Sequence, residues 1–247
     1  VAVRGEKDFV CLSGNQIACL IAEYRLITLK SKQLLKPENE SGFVLLKTFV
    51  TTPMLEKIAK SHGIHFVNTP TGFKWMAQKM SKYEEDATLS IKEKEGIGLD
   101  YDQTDLFTRI DILSKYSRYV PLAAEESYGY LPLDLVRDKD GNASALAFAE
   151  VIAYLKSLSI KPVDFLDKLY LKYGFHFEKT ENIYFEGAEG NRIIAGLVES
   201  YRQKPLETVS EIKVTKLKDF SQDGYIDADN ETLPIQNFIQ LILMKLH

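Results

Sequence analysis

The sequence predicts an α/β fold, with a parallel or mixed sheet flanked by helices and a smaller α+β segment after it. Two consecutive strand-helix units, at residues 43–63 and 64–86, favour strands that lie parallel in one layer. The composition agrees, because 45% hydrophobic and 27% charged residues over 247 positions suffice for one large domain or two modest ones.

The N-terminal segment predicts two short strands and a helix. VAVRGEKDFVCL contains two apolar stretches around a polar turn at residues 4–8. A helix follows SGNQ, because the next apolar residues are spaced for one helical face. These residues are Ile17, Leu20, Ile21 and Tyr24.

The two strand-helix units come next. FVLLKTFV (43–50) is a strand candidate. Thr52 and Pro53 can cap and start a helix, which Gly63 can end. IHFVNT (64–69) is the second strand candidate, TPTG a turn, and FKWMAQKMSKYEED an amphipathic helix. The apolar stripe of that helix consists of Phe73, Met76, Ala77 and Met80.

The rest of the chain predicts a domain boundary. Residues 84–118 are charged and contain the loose stretch EGIGLDYDQTD, which indicates an irregular excursion. SALAFAEVIAYLKSL, KPVDFLDKLYLKYG and NRIIAGLVESYRQKP predict helices, whereas TVSEIKVTKLKDF and LPIQNFIQLIL predict strands. This change of pattern near residues 180–190 divides the chain into an α/β domain, 1–185, and an α+β segment, 186–247.

Composition and charge argue against several classes of function. A net charge of −4 and a pI of about 5.7 disfavour a broad nucleic-acid footprint. No apolar run reaches the roughly 18–20 residues that span a bilayer, and the start of the chain lacks a secretory pattern. Two cysteines, Cys11 and Cys19, are too few for a disulfide framework. We therefore expect a cytoplasmic protein with no nucleic-acid or membrane partner.

The stretch AEESYGY (124–130) has two interpretations. It can be a strand end with solvated carboxylates. Alternatively, Glu125 and Ser127 lie two residues apart, so on an extended segment both side chains point to one face, while Glu126 points to the other. A carboxylate and a hydroxyl on one face can bind neighbouring hydroxyls of a sugar, and Gly129 would let the chain turn after them.

Two basic motifs flank this stretch in the sequence. RDKDG (137–141) can be a helix-capping turn, or Arg137 and Lys139 can face a phosphate, with Lys139 exchanging protons if desolvated. TPTGFK (69–74) can be a plain turn, or a helix N-terminus that holds an anion together with Lys74.

The sequence predicts no metal site on this chain. His62 and His65 are three residues apart, but Gly63 breaks the helical register that a metal-binding pair would need. DGYIDADNE (223–231) lacks the spacing and the central Gly of a calcium loop, so a solvated turn is favoured.

The order of the motifs is more specific than any one of them. SGNQ, KTFVTTPMLEKIAKSHG, TPTGFKWM, EESYGYLP, VRDKDGNASA and GNRIIAGLVESYRQKP together resemble the α-D-phosphohexomutases, the phosphoglucomutase and phosphomannomutase family. The resemblance covers nearly the whole chain except residues 84–118, which look longer than in most members. Members of this family have four domains, and this chain resembles most of the third and an incomplete fourth.

The resemblance implies an isomerase that acts as an intramolecular phosphotransferase, interconverting hexose 1-phosphate and hexose 6-phosphate. It implies a phosphorylated serine on the parent enzyme, bound Mg²⁺ and a hexose 1,6-bisphosphate. It also implies roles for this chain: Glu125 and Ser127 bind sugar hydroxyls, and Lys74 contacts the phosphosugar. Arg137 is a candidate phosphate or carboxylate partner, and Lys139 a candidate for proton transfer.

The departures from the family pattern concern the phosphate chemistry. The sequence has no Ser-His-Asn-Pro phosphoserine segment, no Asp-x-Asp-x-Asp-Arg magnesium loop and no Arg-Pro-Ser-Gly-Thr-Glu-Pro phosphate loop. Phosphoryl transfer depends mostly on positioning and charge stabilisation, which those segments supply. We therefore expect a fragment that is inactive alone, carries no ligands for Mg²⁺ and needs the missing N-terminal domains of the same protein.

Three alternatives stay open at this point. The chain can be a noncatalytic sugar-phosphate-binding protein, or a phosphopentomutase-type member of the same family, since recognition of adjacent hydroxyls need not distinguish glucose, mannose and pentose phosphates. An unrelated nucleotide-binding α/β protein is disfavoured, because no Gly-rich phosphate loop is present.

Overall fold

The computed structural model describes residues 1–5, 7–178, 183–209, 212–221, 225–233 and 239–243. The chain forms two units, Val1–Glu178 and Lys179–His247. The division lies a few residues before the predicted boundary, and the assignment of the two parts to a third and a fourth domain stays a prediction.

The first unit begins with the predicted pair of short strands. Strand β1 (Ala2–Arg4) pairs antiparallel with β2 (Phe9–Cys11), and helix α1 (Gly14–Ser31) follows. Ser13 caps α1, because its hydroxyl accepts a hydrogen bond of 3.2 Å from the Gln16 amide while the Gln16 side chain accepts one of 2.9 Å from the Ser13 amide. This reciprocal pair fixes where α1 starts.

A mixed sheet lies at the centre of the first unit. Its strands are β3 (Val44–Thr48), β4 (His65–Thr69), β5 (Ala123–Glu125) and β6 (Gly129–Leu131), in the order β4-β3-β5-β6. Strand β3 pairs in parallel with both β4 and β5, whereas β5 and β6 are antiparallel. Every residue of β3 is buried. The predicted α/β class with a parallel or mixed sheet is confirmed.

Helices flank this sheet. They are α2 (Met54–Ser61), α3 (Phe73–Glu95), α4 (Leu106–Tyr116), α5 (Gly141–Ser157) and α6 (Pro162–Tyr173). The Thr52 hydroxyl accepts a hydrogen bond of 3.2 Å from the Met54 amide, as the predicted cap of α2 requires. Among the described residues no single helix is long and apolar enough to cross a membrane; α5 and α6 meet that test only as a pair, bent by 91°.

The predicted irregular excursion at residues 84–118 is wrong for most of its length. Helix α3 continues to Glu95, and α4 occupies much of the remainder. The reason is a buried stripe within the charged sequence: Tyr83, Ala87 and Ile91 follow one another every four residues and lie in the core. Gly96, with a φ of 70°, ends α3 in the left-handed conformation.

The second unit contains a helix followed by strands, as the sequence predicts. Helix α7 (Gly187–Gln203) precedes β7 (Thr208–Val209), β8 (Ile212–Asp219) and β9 (Ile239–Leu243). These strands form an antiparallel sheet in the order β7-β8-β9. Residues 234–238 of the predicted LPIQNFIQLIL strand lie outside the described residues, as do residues 223 and 224 of DGYIDADNE.

Candidate functional site

The parallel strands of the central sheet end at one edge. Strand β3 ends at Thr48, β4 at Thr69 and β5 at Glu125. In open α/β sheets, ligands bind in the crevice outside the carboxyl ends of the strands. We call this edge, with the loops that leave it, the carboxyl edge. Those loops are residues 49–53, 70–72 and 126–128.

Glu125 connects two of the elements at the carboxyl edge. Its side chain is buried, and its Oε1 accepts a hydrogen bond of 2.7 Å from the Gly72 amide. Gly72 directly precedes α3 and has a φ of 108°, a conformation that side chains disfavour. The carboxylate therefore satisfies a backbone donor at the N-terminus of α3, where the helix dipole also favours a negative charge.

Ser127 does not share a strand face with Glu125. Residues 126–128 form a turn between β5 and β6, with Tyr128 at a φ of 62°, so strand alternation stops at Glu125. The same-face interpretation of the extended segment is wrong for this reason, although Ser127 itself is exposed at the carboxyl edge. The Glu126 Oε2 lies 3.4 Å from the hydroxyls of Thr48 and Thr51, towards the end of β3.

The start of α1 packs against this turn. The Tyr130 hydroxyl donates a hydrogen bond of 2.8 Å to the Gly14 carbonyl. A Cβ atom added to Gly14 would lie 1.8 Å from the Glu126 carbonyl oxygen, so only glycine permits this approach. Gly14, the glycine of SGNQ, thus allows α1 to pack closely against the hairpin of β5 and β6. The sequence alone did not predict this role.

Phe73 lies next to two basic residues of the candidate site, Lys74 in sequence and Lys139 in space. The Lys139 Nζ lies 5.9 Å from the centroid of the Phe73 ring, and Lys74 follows Phe73 in the first turn of α3, with its Nζ 4.8 Å from the Trp75 ring centroid. A Cβ on Gly129 would lie 2.7 Å from the Phe73 ring. Both lysines are exposed, and they place positive charge beside a helix N-terminus.

The RDKDG segment also caps a helix. Asp140 precedes α5, and its carboxylate accepts a hydrogen bond of 2.9 Å from the Asn142 amide. The capping interpretation of this segment is therefore confirmed. It leaves the Lys139 side chain free to reach towards Phe73.

Arg137 lies in the loop after β6 and contacts α3 away from its N-terminus. Its guanidinium forms an ion pair with Glu84 and a hydrogen bond of 3.4 Å with the Ser81 hydroxyl. Ser81 is about 12 Å along the helix axis from Phe73, at 1.5 Å per residue. Burial raises the pKa of the Glu84 carboxyl despite this guanidinium. The structure thus brings together four of the predicted site residues and turns Arg137 away from them; its role as a substrate contact stays a prediction.

A buried lysine, Lys47, contacts the loop that leaves β3 at the carboxyl edge. The side chain of Lys47 is 3% exposed, and its Nζ lies 3.2 Å from the Glu56 carboxylate and donates to the Thr51 carbonyl at 3.1 Å. Asn15 adds a second support, because its Oδ1 accepts a hydrogen bond of 3.0 Å from the Thr52 amide. Sequence reasoning missed both residues; a lysine within the apolar run FVLLK was the available signal.

Within the described part of the chain, no group of three or more His, Cys, Asp or Glu residues could hold a metal ion. His62 instead lies 3.1 Å from the Glu23 carboxylate, inside the protein.

The polar loops and the N-terminus of α3 thus lie at the carboxyl edge of a mixed sheet, the place where open α/β domains bind ligands. Residues 13–99 match the family model described as phosphoglucomutase/phosphomannomutase, alpha/beta/alpha domain III. Over these residues, about a third of its length, the chain is similar to the third domain of the phosphoglucomutase and phosphomannomutase family.

Relatives of this chain carry the names of several sugar-phosphate enzymes. A probable phosphoribomutase of Schizosaccharomyces pombe is 26% identical over 231 residues, which are 90% of this chain and 33% of the relative. A Homo sapiens glucose 1,6-bisphosphate synthase is 29% identical over 68% of this chain and 22% of its own length. A Staphylococcus aureus phosphoglucomutase is 24% identical over 89% of this chain and 33% of its own length.

This chain spans about a third or less of the length of these curated relatives. Among solved structures, a putative phosphomannomutase from Thermus thermophilus aligns with a TM-score of 0.42 at 16% identity, over 68% of this chain and 26% of that one.

Proposed function

We propose that this chain is the sugar-phosphate recognition part of a phosphomutase, an enzyme that moves a phosphate between two hydroxyl positions of one sugar. The similarity of residues 13–99 to the phosphoglucomutase and phosphomannomutase family and the names of the relatives support the class of reaction. One observation carries the proposal for this chain: the hydrogen bond of 2.7 Å from the Gly72 amide to Glu125 joins the EES turn to the N-terminus of α3, beside Lys74.

Each part of this arrangement suits one part of a sugar phosphate. The N-terminus of α3 and the Lys74 ammonium attract the phosphate, since both present positive charge and N–H donors. Glu125 uses Oε1 on the Gly72 amide, and its Oε2 would accept a hydrogen bond from a sugar hydroxyl. The exposed Ser127 hydroxyl would donate to or accept from the neighbouring hydroxyl.

Lys139 is the proposed group for proton transfer. Its Nζ lies 5.9 Å from the ring centroid of Phe73, the residue before Lys74 in the first turn of α3. The Lys139 side chain is exposed, so the role requires a bound substrate to exclude water around it. Desolvation lowers the pKa of a lysine and allows it to exchange a proton with a sugar hydroxyl.

In this proposal, catalysis requires sequence motifs that this chain lacks. The family resemblance implies a phosphoserine, Mg²⁺ and a hexose 1,6-bisphosphate, and this sequence has none of the three motifs that hold them. We therefore propose that the chain alone binds substrate without turnover and that further domains of the parent protein supply the phosphate chemistry. Mg²⁺ would stabilise the charge on the transferred phosphate there.

The sugar can be a hexose or a pentose. The names of the relatives include phosphoglucomutase, phosphoribomutase and phosphopentomutase. This spread favours a phosphopentomutase-type member as the second candidate. A noncatalytic sugar-phosphate-binding protein would use the same carboxyl edge.

The proposal is tested by calorimetric titration of the chain with glucose 6-phosphate and, separately, ribose 5-phosphate. We expect saturable binding of at least one of them. Lys74→Ala and Ser127→Ala should each weaken it, by about tenfold for Lys74→Ala, which removes a charge-assisted contact. The matched control is Lys168→Ala, an exposed lysine of α6, which should leave the affinity unchanged. Equal affinities in all the variants would contradict the proposed site.

A second assay separates binding from catalysis. The chain is incubated with glucose 1-phosphate, Mg²⁺ and glucose 1,6-bisphosphate, and formation of glucose 6-phosphate is followed with a coupled dehydrogenase. We expect no turnover. Turnover by this chain would refute the claim that the missing motifs are required.

A further inference from the structure

A polar cavity lies away from the carboxyl edge. It has a volume of about 390 Å³, within the range of small-molecule sites. Its walls come from the segment between α3 and α4, from α4 itself and from the loop after β6. The lining residues are Tyr101, Asp102, Arg109, Asp134, Leu135 and Arg137.

Hydrogen bonds hold the walls of this cavity in place. The Asp134 Oδ2 accepts from the Tyr101 hydroxyl at 2.8 Å and from the Arg109 guanidinium at 3.3 Å. Arg109 also donates to the Thr104 carbonyl at 2.8 Å, and its guanidinium carbon lies 4.8 Å from the Tyr101 ring centroid. These contacts join the segment after α3, helix α4 and the loop after β6, so the polar groups are preorganised.

The other carboxylate oxygen of Asp134 has no partner. Asp134 is 7% exposed, and its Oδ1 is buried with no hydrogen bond to any described residue. Buried carboxylate oxygens in folded proteins are nearly always paired, because leaving one unpaired is unfavourable. Asp134 holds the walls of the cavity through its Oδ2, and its buried Oδ1 is not accessible to a ligand in the cavity.

Two guanidinium groups line the same cavity. Arg109 uses three of its five N–H groups in contacts with described residues, at the Thr104 and Asp102 carbonyls and at Asp134. Arg137 pairs with Glu84, and its side chain is 40% exposed. Guanidinium groups bind carboxylates and phosphates in planar, two-pronged contacts. Positive donors beside the carboxylate of Asp102, which also lines the cavity, match a ligand that carries both an anionic group and hydroxyls.

We propose that this cavity is an accessory site for a small polyhydroxylated anion, such as a sugar phosphate or a hydroxycarboxylate. Arg109 and Arg137 would bind the anionic group, and the carboxylate of Asp102, an exposed residue that also lines the cavity, would accept a hydrogen bond from a ligand hydroxyl. The site does not depend on the proposed function, because the Arg137 contacts on α3 lie about 12 Å along the helix from the N-terminal turn that carries Lys74.

The test is a backbone-amide NMR titration of the chain with ribose 5-phosphate, citrate, inorganic phosphate and uncharged ribose. We expect saturable shifts at residues 101–109 and 134–137 with ribose 5-phosphate or citrate, weaker shifts with phosphate, and none with ribose. The two hydroxylated anions distinguish a phosphate-bearing ligand from a carboxylate-bearing one.

Variants locate the binding. Arg137→Ala changes an exposed side chain and should weaken the response by about tenfold, as loss of a charge-assisted contact predicts. Asp102→Asn, at an exposed lining residue, should weaken it as well, whereas Lys74→Ala should leave these shifts unchanged. Shifts confined to residues 70–74 and 125–129, no shifts at all, or an unchanged response in Arg137→Ala would overturn the accessory site.

Discussion

Glu125 accepts a hydrogen bond of 2.7 Å from the Gly72 amide, and this contact ties the end of β5 to the start of α3. The two residues are far apart in sequence, and each belongs to a motif with a plain structural interpretation of its own. Their contact makes the EES turn and the TPTGFK turn parts of one site. The arrangement depends on a buried carboxylate that satisfies a backbone donor.

The first prediction concerns that contact. Glu125→Ala removes the acceptor and leaves the Gly72 amide unpaired in a partly buried place. We expect a loss of about 1–3 kcal/mol in the free energy of unfolding, typical of an unsatisfied buried group. Urea denaturation followed by circular dichroism measures it. The exposed neighbour provides the control: Ser127→Ala should change stability by less than about 0.5 kcal/mol.

The second prediction compares two glycines that each begin a helix. In Gly14→Ala the new Cβ would lie 1.8 Å from the Glu126 carbonyl oxygen, so backbone must move, and we expect about 1–3 kcal/mol of destabilisation. In Gly141→Ala no atom lies within 4 Å of the new Cβ, so stability should stay equal or rise by up to about 1 kcal/mol. Similar melting temperatures for both variants would contradict the packing of α1 on the hairpin.

The third prediction concerns a buried network around Glu23 in α1. Its carboxylate lies 3.1 Å from the His62 Nε2 and accepts hydrogen bonds from the Lys172 ammonium at 3.0 Å and the Tyr173 hydroxyl at 2.9 Å. Burial alone raises the pKa of Glu23, but the hydrogen bonds from His62, Lys172 and Tyr173 outweigh burial and lower the pKa overall.

A lowered pKa fixes the direction of the pH dependence. The ionised Glu23 stabilises the fold fully above the pKa of an unfolded Glu, about 4.3, and this contribution disappears as pH falls through the lower folded pKa. Glu23→Gln should therefore destabilise the protein more at pH 7 than in acid. Urea denaturation of both proteins at several pH values tests this, and a difference in stability that grows on acidification would refute it.

Periodicity predicted the regular elements of the first unit well. Strands β3 and β4 are short apolar runs bounded by turn residues, and α1 shows its buried face in the spacing of Ile17, Leu20 and Ile21. Helix α3 was predicted too short, because its second half is mostly charged and only Ala87 and Ile91 continue the buried stripe. Charge content obscured a periodicity that was present.

The candidate site was less predictable, because it depends on contacts between distant residues. Alternation along a strand could not show that the turn begins at Glu126. The turn places Tyr128 at a left-handed φ, a conformation more common for glycine or asparagine than for tyrosine. Nor could spacing show that Arg137 pairs with Glu84, a residue of α3. Local patterns identify the residue types of the site, whereas tertiary packing decides which of them meet.

The binding of sugar phosphates at the carboxyl edge is tested most directly through Trp75. It is the one tryptophan of the chain, and the Lys74 Nζ lies 4.8 Å from its ring centroid, so its fluorescence reports on the N-terminus of α3. Titration with ribose 5-phosphate or glucose 6-phosphate should give a saturable change, and the unphosphorylated sugars should give none. No change at about 10 mM of either phosphate, or equal changes with the unphosphorylated sugars, would contradict the proposal.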